Sequence, residues 1–293
     1  MRTAEATIAR AVEEAAEHME TQEIAEARRN AQMLMQHLLG TDTAGLFGRW
    51  NDQLPPDLQA RYAGLVGRRL RHEPLQYITR RAEFWSREFY VDPRVPVPRP
   101  ESEHIVEELL KDFPDKNAAP RTVDVGTGSG CLAVAIALEF PQAEVIGIDV
   151  EQGALEVAAI NASRNNVSDR ISLLHGDLLA PALERLGPGS VDAVVSNPPY
   201  IGEGEAAALP AEVIGAEPRR ALVAGPTGLE IFRRLVPQAA LLMKPGGRLY
   251  LECGARQAGP VEAIVAAEPS LGHLRTAPDL RGIPRVVVSG KEG

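Results

Sequence analysis

Apolar residues recur at helical spacing from Thr3 onward, at Ile8, Val12, Ala15 and Met19, and again from Gln22 to Leu39, at Ile24, Ala27, Ala31, Leu34 and Leu38. Gly40 closes the second stretch. A third helix is expected to begin at Pro55-Pro56, because a first turn does not need the N–H that proline lacks. It carries Leu58, Tyr62, Leu65, Val66 and Leu70 on one face. Together these stretches predict a small all-α domain over residues 1–82. From Glu83 to Pro100 the pattern turns to Phe84, Trp85, Phe89, Tyr90 and Val91, with prolines at 93, 96, 98 and 100, which reads as a β-ribbon and extended linker over 83–99.

Residues 100–293 follow a different rhythm. An amphipathic helix with Ile105, Val106, Leu109, Leu110 and Phe113 precedes apolar runs at 121–125, 144–148, 171–174 and 191–195, with helical stretches between them. Alternation of this kind predicts a parallel sheet covered on both faces, an α/β domain. At 293 residues and 44% apolar, the chain can bury a core in each domain, which excludes a disordered chain or a stapled mini-protein. Cys131 and Cys253 lie far apart without CxxC spacing, so neither a disulfide framework nor a metal site is expected.

Charge narrows the choice of partner. A net charge of −9 argues against a protein living on nucleic-acid phosphates. Locally, residues 5–26 hold seven acidic side chains against Arg10, whereas 61–87 hold seven arginines against Glu73 and Glu83. That basic stretch either docks a partner or is an ordinary solvated face. No run approaches the roughly 18 apolar residues of a membrane span. The acidic, Ala-rich Met1–Glu20 is unlike a secretory or transit leader, so a cytoplasmic protein without membrane contact is expected.

Candidate chemistry gathers where strands end. The strand at 121–125 runs into Gly126-Thr127-Gly128-Ser129-Gly130 and a helix of small apolar residues from Cys131 to Leu138, an arrangement that lets a ligand approach backbone at a helix N-terminus. About 20 residues on, the next strand ends in Asp149, whose carboxylate can accept both ribose hydroxyls of a nucleoside. Cys131 stands where a dinucleotide fingerprint needs a third glycine, which disfavours a nicotinamide cofactor. Asp124 would repel a pyrophosphate but suits the ammonium or sulfonium of S-adenosylmethionine; as an alternative it caps the glycine turn. Asp177 can accept from an adenine amino group while Leu178 packs on the ring, unless Gly176-Asp177-Leu178 is only a surface turn.

The fourth strand delivers Ser196-Asn197-Pro198-Pro199-Tyr200. Two prolines remove two backbone donors, disfavour helix and stiffen the chain as it leaves the sheet, so that carbonyls face a ligand. The Asn197 side-chain oxygen and the Pro198 carbonyl can together grip a planar NH₂ group, with the Tyr200 ring beside it.

With these residues on view, the second domain resembles the class I methyltransferases, and the whole chain resembles the bacterial glutamine methyltransferases that modify peptide chain release factors. The likeness rests on Glu73-Pro74-Leu75-Gln76-Tyr77, Glu83-Phe84-Trp85, Pro98-Arg99-Pro100-Glu101-Ser102-Glu103, the glycine turn, Asn197-Pro198-Pro199-Tyr200, Glu217-Pro218, Gly228-Leu229, Leu251-Glu252-Cys253-Gly254 with Gln257, and Asp279-Leu280-Arg281-Gly282. Glu101-Ser102 departs from the family's usual Asp-Thr, and Leu178 stands where an aromatic is common.

The resemblance implies a Rossmann-like, seven-stranded, mostly parallel sheet over 100–293, a docking role for the helical domain, S-adenosylmethionine as cofactor and S-adenosylhomocysteine as product. The implied target is the side-chain amide of the glutamine in the release factor's Gly-Gly-Gln loop. Asn197, Pro198 and Tyr200 are implied as catalytic, with Pro199 adding to substrate binding. Asp124, Gly126, Thr127, Gly128, Ser129, Gly130, Asp149, Asp177, Leu178 and Asn197 are implied around the cofactor. No metal, direct nucleic-acid contact or oligomer is implied. Glutamine methylation of a ribosomal protein and methylation of a nucleobase amino group are the alternatives.

Overall fold

The computed structural model describes residues 7–293, so the Thr3–Ala6 part of the expected first helix lies outside the described residues. The chain forms two units, one comprising the residues up to Arg80 together with Pro210–Ala216, the other Arg81–Leu209 and Glu217–Gly293.

The first unit is helical: α1 (Ile8–Thr21), α2 (Ala27–Leu39), α3 (Thr43–Gly48), α4 (Pro56–Arg69) and α5 (Leu75–Thr79). Thr7 caps α1 by accepting from the Arg10 N–H at 3.3 Å, and Asp42 caps α3 by accepting from the Gly45 N–H at 2.8 Å. The second periodic stretch becomes helical only at Ala27, because Glu23 and Glu26 take left-handed backbone, at φ 55° and 52°. Both α3 and α5 are too short for periodicity to reveal. Ile8, Val12, Met19, Leu34, Met35 and Leu46 form the buried centre.

The second unit opens with a hairpin of β1 (Ala82–Phe84) and β2 (Arg87–Phe89). Its two turn residues, Trp85 and Ser86, both have positive φ, 52° and 54°, as a tight hairpin turn demands. Trp85 is held there by donating its backbone N–H to Glu103 at 2.6 Å and its indole N–H to Glu139 at 2.7 Å. The remaining elements are α6 (Glu103–Asp112), β3 (Arg121–Val125), α7 (Cys131–Glu139), β4 (Glu144–Asp149), α8 (Gln152–Arg164), β5 (Ile171–His175), α9 (Ala180–Leu186), β6 (Val191–Ser196), β7 (Ile201–Gly202), α10 (Glu203–Ala206), α11 (Ala211–Ile214), β8 (Val223–Gly225), α12 (Glu230–Leu242), β9 (Met243–Glu252), α13 (Ala258–Ala266), β10 (Leu271–Pro278) and β11 (Pro284–Lys291).

Seven strands form one sheet in the order β10-β11-β9-β6-β3-β4-β5. The five from β9 to β5 in that order are parallel, whereas β11 is antiparallel to both β9 and β10, so the sheet is the mostly parallel one expected. Alternation along each strand divides the core. Val123, Ile146, Val194 and Leu251 pack with α12 and α13 on one face, and Val145, Ala193, Val195 and Tyr250 pack with α6 and α7 on the other. Strand order reverses between β3 and β6, which opens a crevice at their carboxyl ends, where open α/β sheets bind ligands.

Helix α11 belongs with the helical unit. Arg69 is only 5% exposed and donates to Asn30 Oδ1 at 2.8 Å, to the Glu73 carbonyl at 3.0 Å and to Glu212 Oε2 at 2.7 Å. The basic stretch at 61–87 is therefore not one surface: Arg69 is internal, and Arg68 pairs with Glu73, while Arg61 and Arg71 face solvent.

Candidate active site

The turn after β3 is tight because Gly126, Gly128 and Gly130 have φ of 72°, 54° and 78°, which a side chain would strain. Four of its five amides bond within the protein. Gly126 and Thr127 donate to the Ile148 carbonyl at 2.8 and 2.9 Å, Gly128 to Asp149 Oδ2 at 2.9 Å, and Gly130 to the Thr127 carbonyl at 2.8 Å. The turn thus spends on itself and its neighbours four N–H groups that a phosphate cradle would use. Gly130 serves packing instead: a Cβ there would lie 3.0 Å from the Ala158 Cβ on α8.

Asp124 lies beneath this turn, 1% exposed. Its Oδ2 accepts from the Thr127 hydroxyl at 2.7 Å and from the Ala133 N–H at 3.2 Å, while its Oδ1 has no hydrogen-bond partner among the described residues. The capping role and a free buried oxygen thus coexist in one side chain. Burial pushes this carboxyl up to about 7. Burial likewise raises Asp149, which accepts the N–H groups of Gly128 and Glu151 and still faces the crevice.

Across the crevice, the Ser196 hydroxyl donates to the Val125 carbonyl at 2.7 Å and locks β6 to β3 just before the Asn-Pro-Pro-Tyr loop. Asn197 donates its Nδ2 to Ser102 at 2.8 Å. The far end of the loop is held through Gln257, which donates to the Tyr200 carbonyl at 2.7 Å while accepting from the Gly254 N–H at 3.0 Å. Gly228, at φ 78°, passes so close that a Cβ would sit 2.4 Å from that carbonyl oxygen. Gly228, Gly254 and Gln257 therefore act as the loop's clamp.

A cavity of about 800 Å³ occupies the crevice. Of the residues expected around a cofactor, Gly126, Gly128, Asp149, Asp177, Leu178 and Asn197 line it, joined by Pro198 and Pro199. Asp124, Thr127, Ser129 and Gly130 do not; Thr127 and Ser129 instead border a smaller cleft of about 110 Å³ together with Tyr200, Arg99 and Ser102. Gly126, Gly128, Asn197 and Pro198 line both cavities, so this edge is where their contents meet. Asp177 is ion-paired with Arg234, and Leu178 sits at φ 51°, a strained backbone for a branched side chain.

Periodicity could not reveal several lining residues. Pro93, Arg94 and Pro96 of the linker cover the cavity, with Arg94 held by Asp92 at 2.7 Å and by Glu156 at 2.8 Å. Asn161 of α8 accepts the Tyr90 N–H at 2.7 Å and donates to the Tyr90 and Ser129 carbonyls at 2.9 and 2.8 Å, fastening the linker to the glycine turn. Glu217 accepts the Val97 N–H at 3.3 Å and pairs with Arg99 at the cleft.

Residues 10–79 match the family described as PrmC N-terminal domain, and residues 105–226 match the Methyltransferase small domain. The release factor glutamine methyltransferase of Koribacter versatilis is 40% identical over 97% of this chain and 99% of its own length, and that of Geobacter sulfurreducens is 41% identical over 89% and 88%. The chain belongs to the release factor glutamine methyltransferase family. A solved 16S rRNA N2 G1207 methyltransferase of T. thermophilus, in complex with AdoMet and guanosine, has a TM-score of 0.53 at 19% identity, covering 72% of this chain and 50% of that one; this likeness shows the fold alone.

As in its family, the methyl donor is S-adenosylmethionine, and the crevice suits it. The glycine turn leaves open space, since a Cβ on Gly128 would meet nothing nearer than the Pro96 ring at 3.7 Å. The uncompensated Asp124 oxygen below that turn favours a cationic ligand over an anionic one.

Proposed function

We propose that this protein methylates the side-chain amide nitrogen of a glutamine in peptide chain release factors. The observation that carries the reading is the Asn197–Pro198 edge, which borders both the large cavity and the smaller cleft. S-adenosylmethionine bound in the large cavity supplies a methyl group already activated on a cationic leaving group. An amide nitrogen is a poor nucleophile because its lone pair is delocalised, so the residues of the chain must contribute geometry. Asn197 Oδ1 and the Pro198 carbonyl accept the two N–H groups of the target amide and hold its nitrogen toward the large cavity. Such alignment can contribute roughly 7–11 kcal/mol in well-oriented systems. The same two acceptors stabilise the positive charge that develops on the nitrogen as its bond to the methyl forms. The proton then lost from nitrogen goes to solvent. Tyr200, whose phenol is pushed up by burial and so stays neutral, lines the cleft as a flat wall for the amide.

The helical unit docks the release factor through the solvent-facing Arg61 and Arg71, and the net charge of −9 supports a protein partner rather than direct nucleic-acid binding. The protein acts as a cytoplasmic monomer. Among the described residues, no helix is long and apolar enough to cross a membrane. Incubation with labelled cofactor and release factor, followed by mass spectrometry, tests the reading: one methyl group on glutamine is expected. Methylation of a ribosomal protein or of DNA in place of release factor would overturn it.

A further inference from the structure

Three segments remote in sequence meet behind Asn197. Ser102 comes from the turn before α6, 3% exposed, and Glu252 ends β9, 1% exposed. Sheet register brings Glu252 to Asn197, because Ser196 and Leu251, their immediate predecessors, are paired neighbours on β6 and β9. Asn197 Nδ2 donates to Ser102 Oγ at 2.8 Å, and Ser102 Oγ donates to Glu252 Oε2 at 2.6 Å.

A hydroxyl has one hydrogen to give and lone pairs with which to accept. With that hydrogen committed to a buried carboxylate, Ser102 can only accept from Asn197, so the amide nitrogen is held toward Ser102 and the amide oxygen away from it. An unheld asparagine amide can turn over and present N–H groups instead, which would meet the N–H groups of the target amide head on. We propose that Ser102 and Glu252 are positioning residues whose hydrogen-bond chain fixes the Asn197 amide with its acceptor facing the substrate. The inference rests on Asn197 being the acceptor for the target glutamine.

The chain reverses if Glu252 gains a proton. Its acid hydrogen can then go to Ser102, and the Ser102 hydrogen to Asn197 Oδ1. Glu252 is faced by Ser102, Glu101, His104, Arg285, Tyr200, Cys131 and Cys253, and its burial outweighs the Ser102 hydrogen bond, Arg285 and His104, raising it to about 7. Turnover of the wild-type protein should therefore fall as pH drops through that range.

The test compares Ser102→Ala, Ser102→Thr and Glu252→Gln in the full chain, reading kcat and KM for release factor, cofactor affinity by calorimetry, and melting temperature. Ser102→Ala should lower kcat roughly 10- to 100-fold, with KM and cofactor affinity within about twofold of wild type. Ser102→Thr, which keeps the hydroxyl, should recover most of that loss. Glu252→Gln can donate to Ser102 at every pH, so it should be slow with a flat pH profile. Wild-type turnover in Ser102→Ala, or a Ser102→Thr as slow as Ser102→Ala, overturns the positioning role alone. A wild-type protein that binds cofactor but leaves release factor unmethylated overturns the substrate reading, and this inference with it.

Discussion

Asp124 shows how a single side chain trades stability for a site. A carboxyl raised from 3.8 to about 7 in the folded state holds a proton that the unfolded chain has already released between those values. Its contribution to stability is thus full below about pH 4 and is lost as pH rises through about 7. Asp124→Asn removes the buried charge and keeps an acceptor for Thr127 and Ala133. The cofactor-free variant should match wild type near pH 4 and exceed it above pH 7, by on the order of 2–4 kcal/mol. Its affinity for S-adenosylmethionine should fall about tenfold or more, since the cation loses its counter-charge. Denaturant unfolding at pH 4 and 8, with calorimetry, checks both; an advantage that does not change with pH would show that Asp124 carries no buried charge.

At the scale of elements, the site is a set of strand ends held by long-range side-chain bonds. Asn161 on α8 is fully buried and satisfies three backbone groups of the linker and the glycine turn. Asn161→Ala would leave those groups unpaired, at a cost of about 3 kcal/mol or more. Because Pro93 and Pro96 of the same linker line the cavity, cofactor affinity should weaken along with stability. Thermal unfolding with and without cofactor measures this, and a variant as stable as wild type would mean that water replaces the lost bonds. The prolines of the linker are visible in sequence. The linker's attachment is not, because nothing in the local pattern around Asn161 distinguishes a buried, satisfied asparagine from a solvated one.

For the whole molecule, the polarised charge of the front end acquires meaning only when its arginines are sorted. Arg69 knits α4 to α2 and α11 from inside, so reversing its charge would unfold the unit rather than probe a surface. Arg61 and Arg71 are the appropriate pair. Reversal of both to Glu should raise KM for release factor several-fold while leaving cofactor affinity unchanged, and wild-type kcat/KM should decline as salt rises. Salt-independent kinetics, or an unaltered KM in the double variant, would remove the electrostatic docking role.

Periodicity of apolar residues alone determined the helical front end, the parallel sheet, the limits of β3 and the start of β6, because a 3.6- or 2-residue repeat is a local record of which face is buried. The glycine turn and the Asn-Pro-Pro-Tyr loop stand out in sequence by their backbone demands, and Asp149 by its spacing from the turn; the structure places Gly126, Gly128, Asp149, Asn197, Pro198 and Pro199 on one cavity. Tertiary structure decided what joins them. It set Asp124 and Gly130 beneath the cavity wall instead of on it, and gave Arg69 to the interior. It also brought Ser102, Gly228, and Glu252 with Gln257, to the loop from three places along the chain. Those contacts depend on strand order and register, which no local pattern encodes: the neighbour of β6 is β9, and only their pairing places Glu252 behind Asn197.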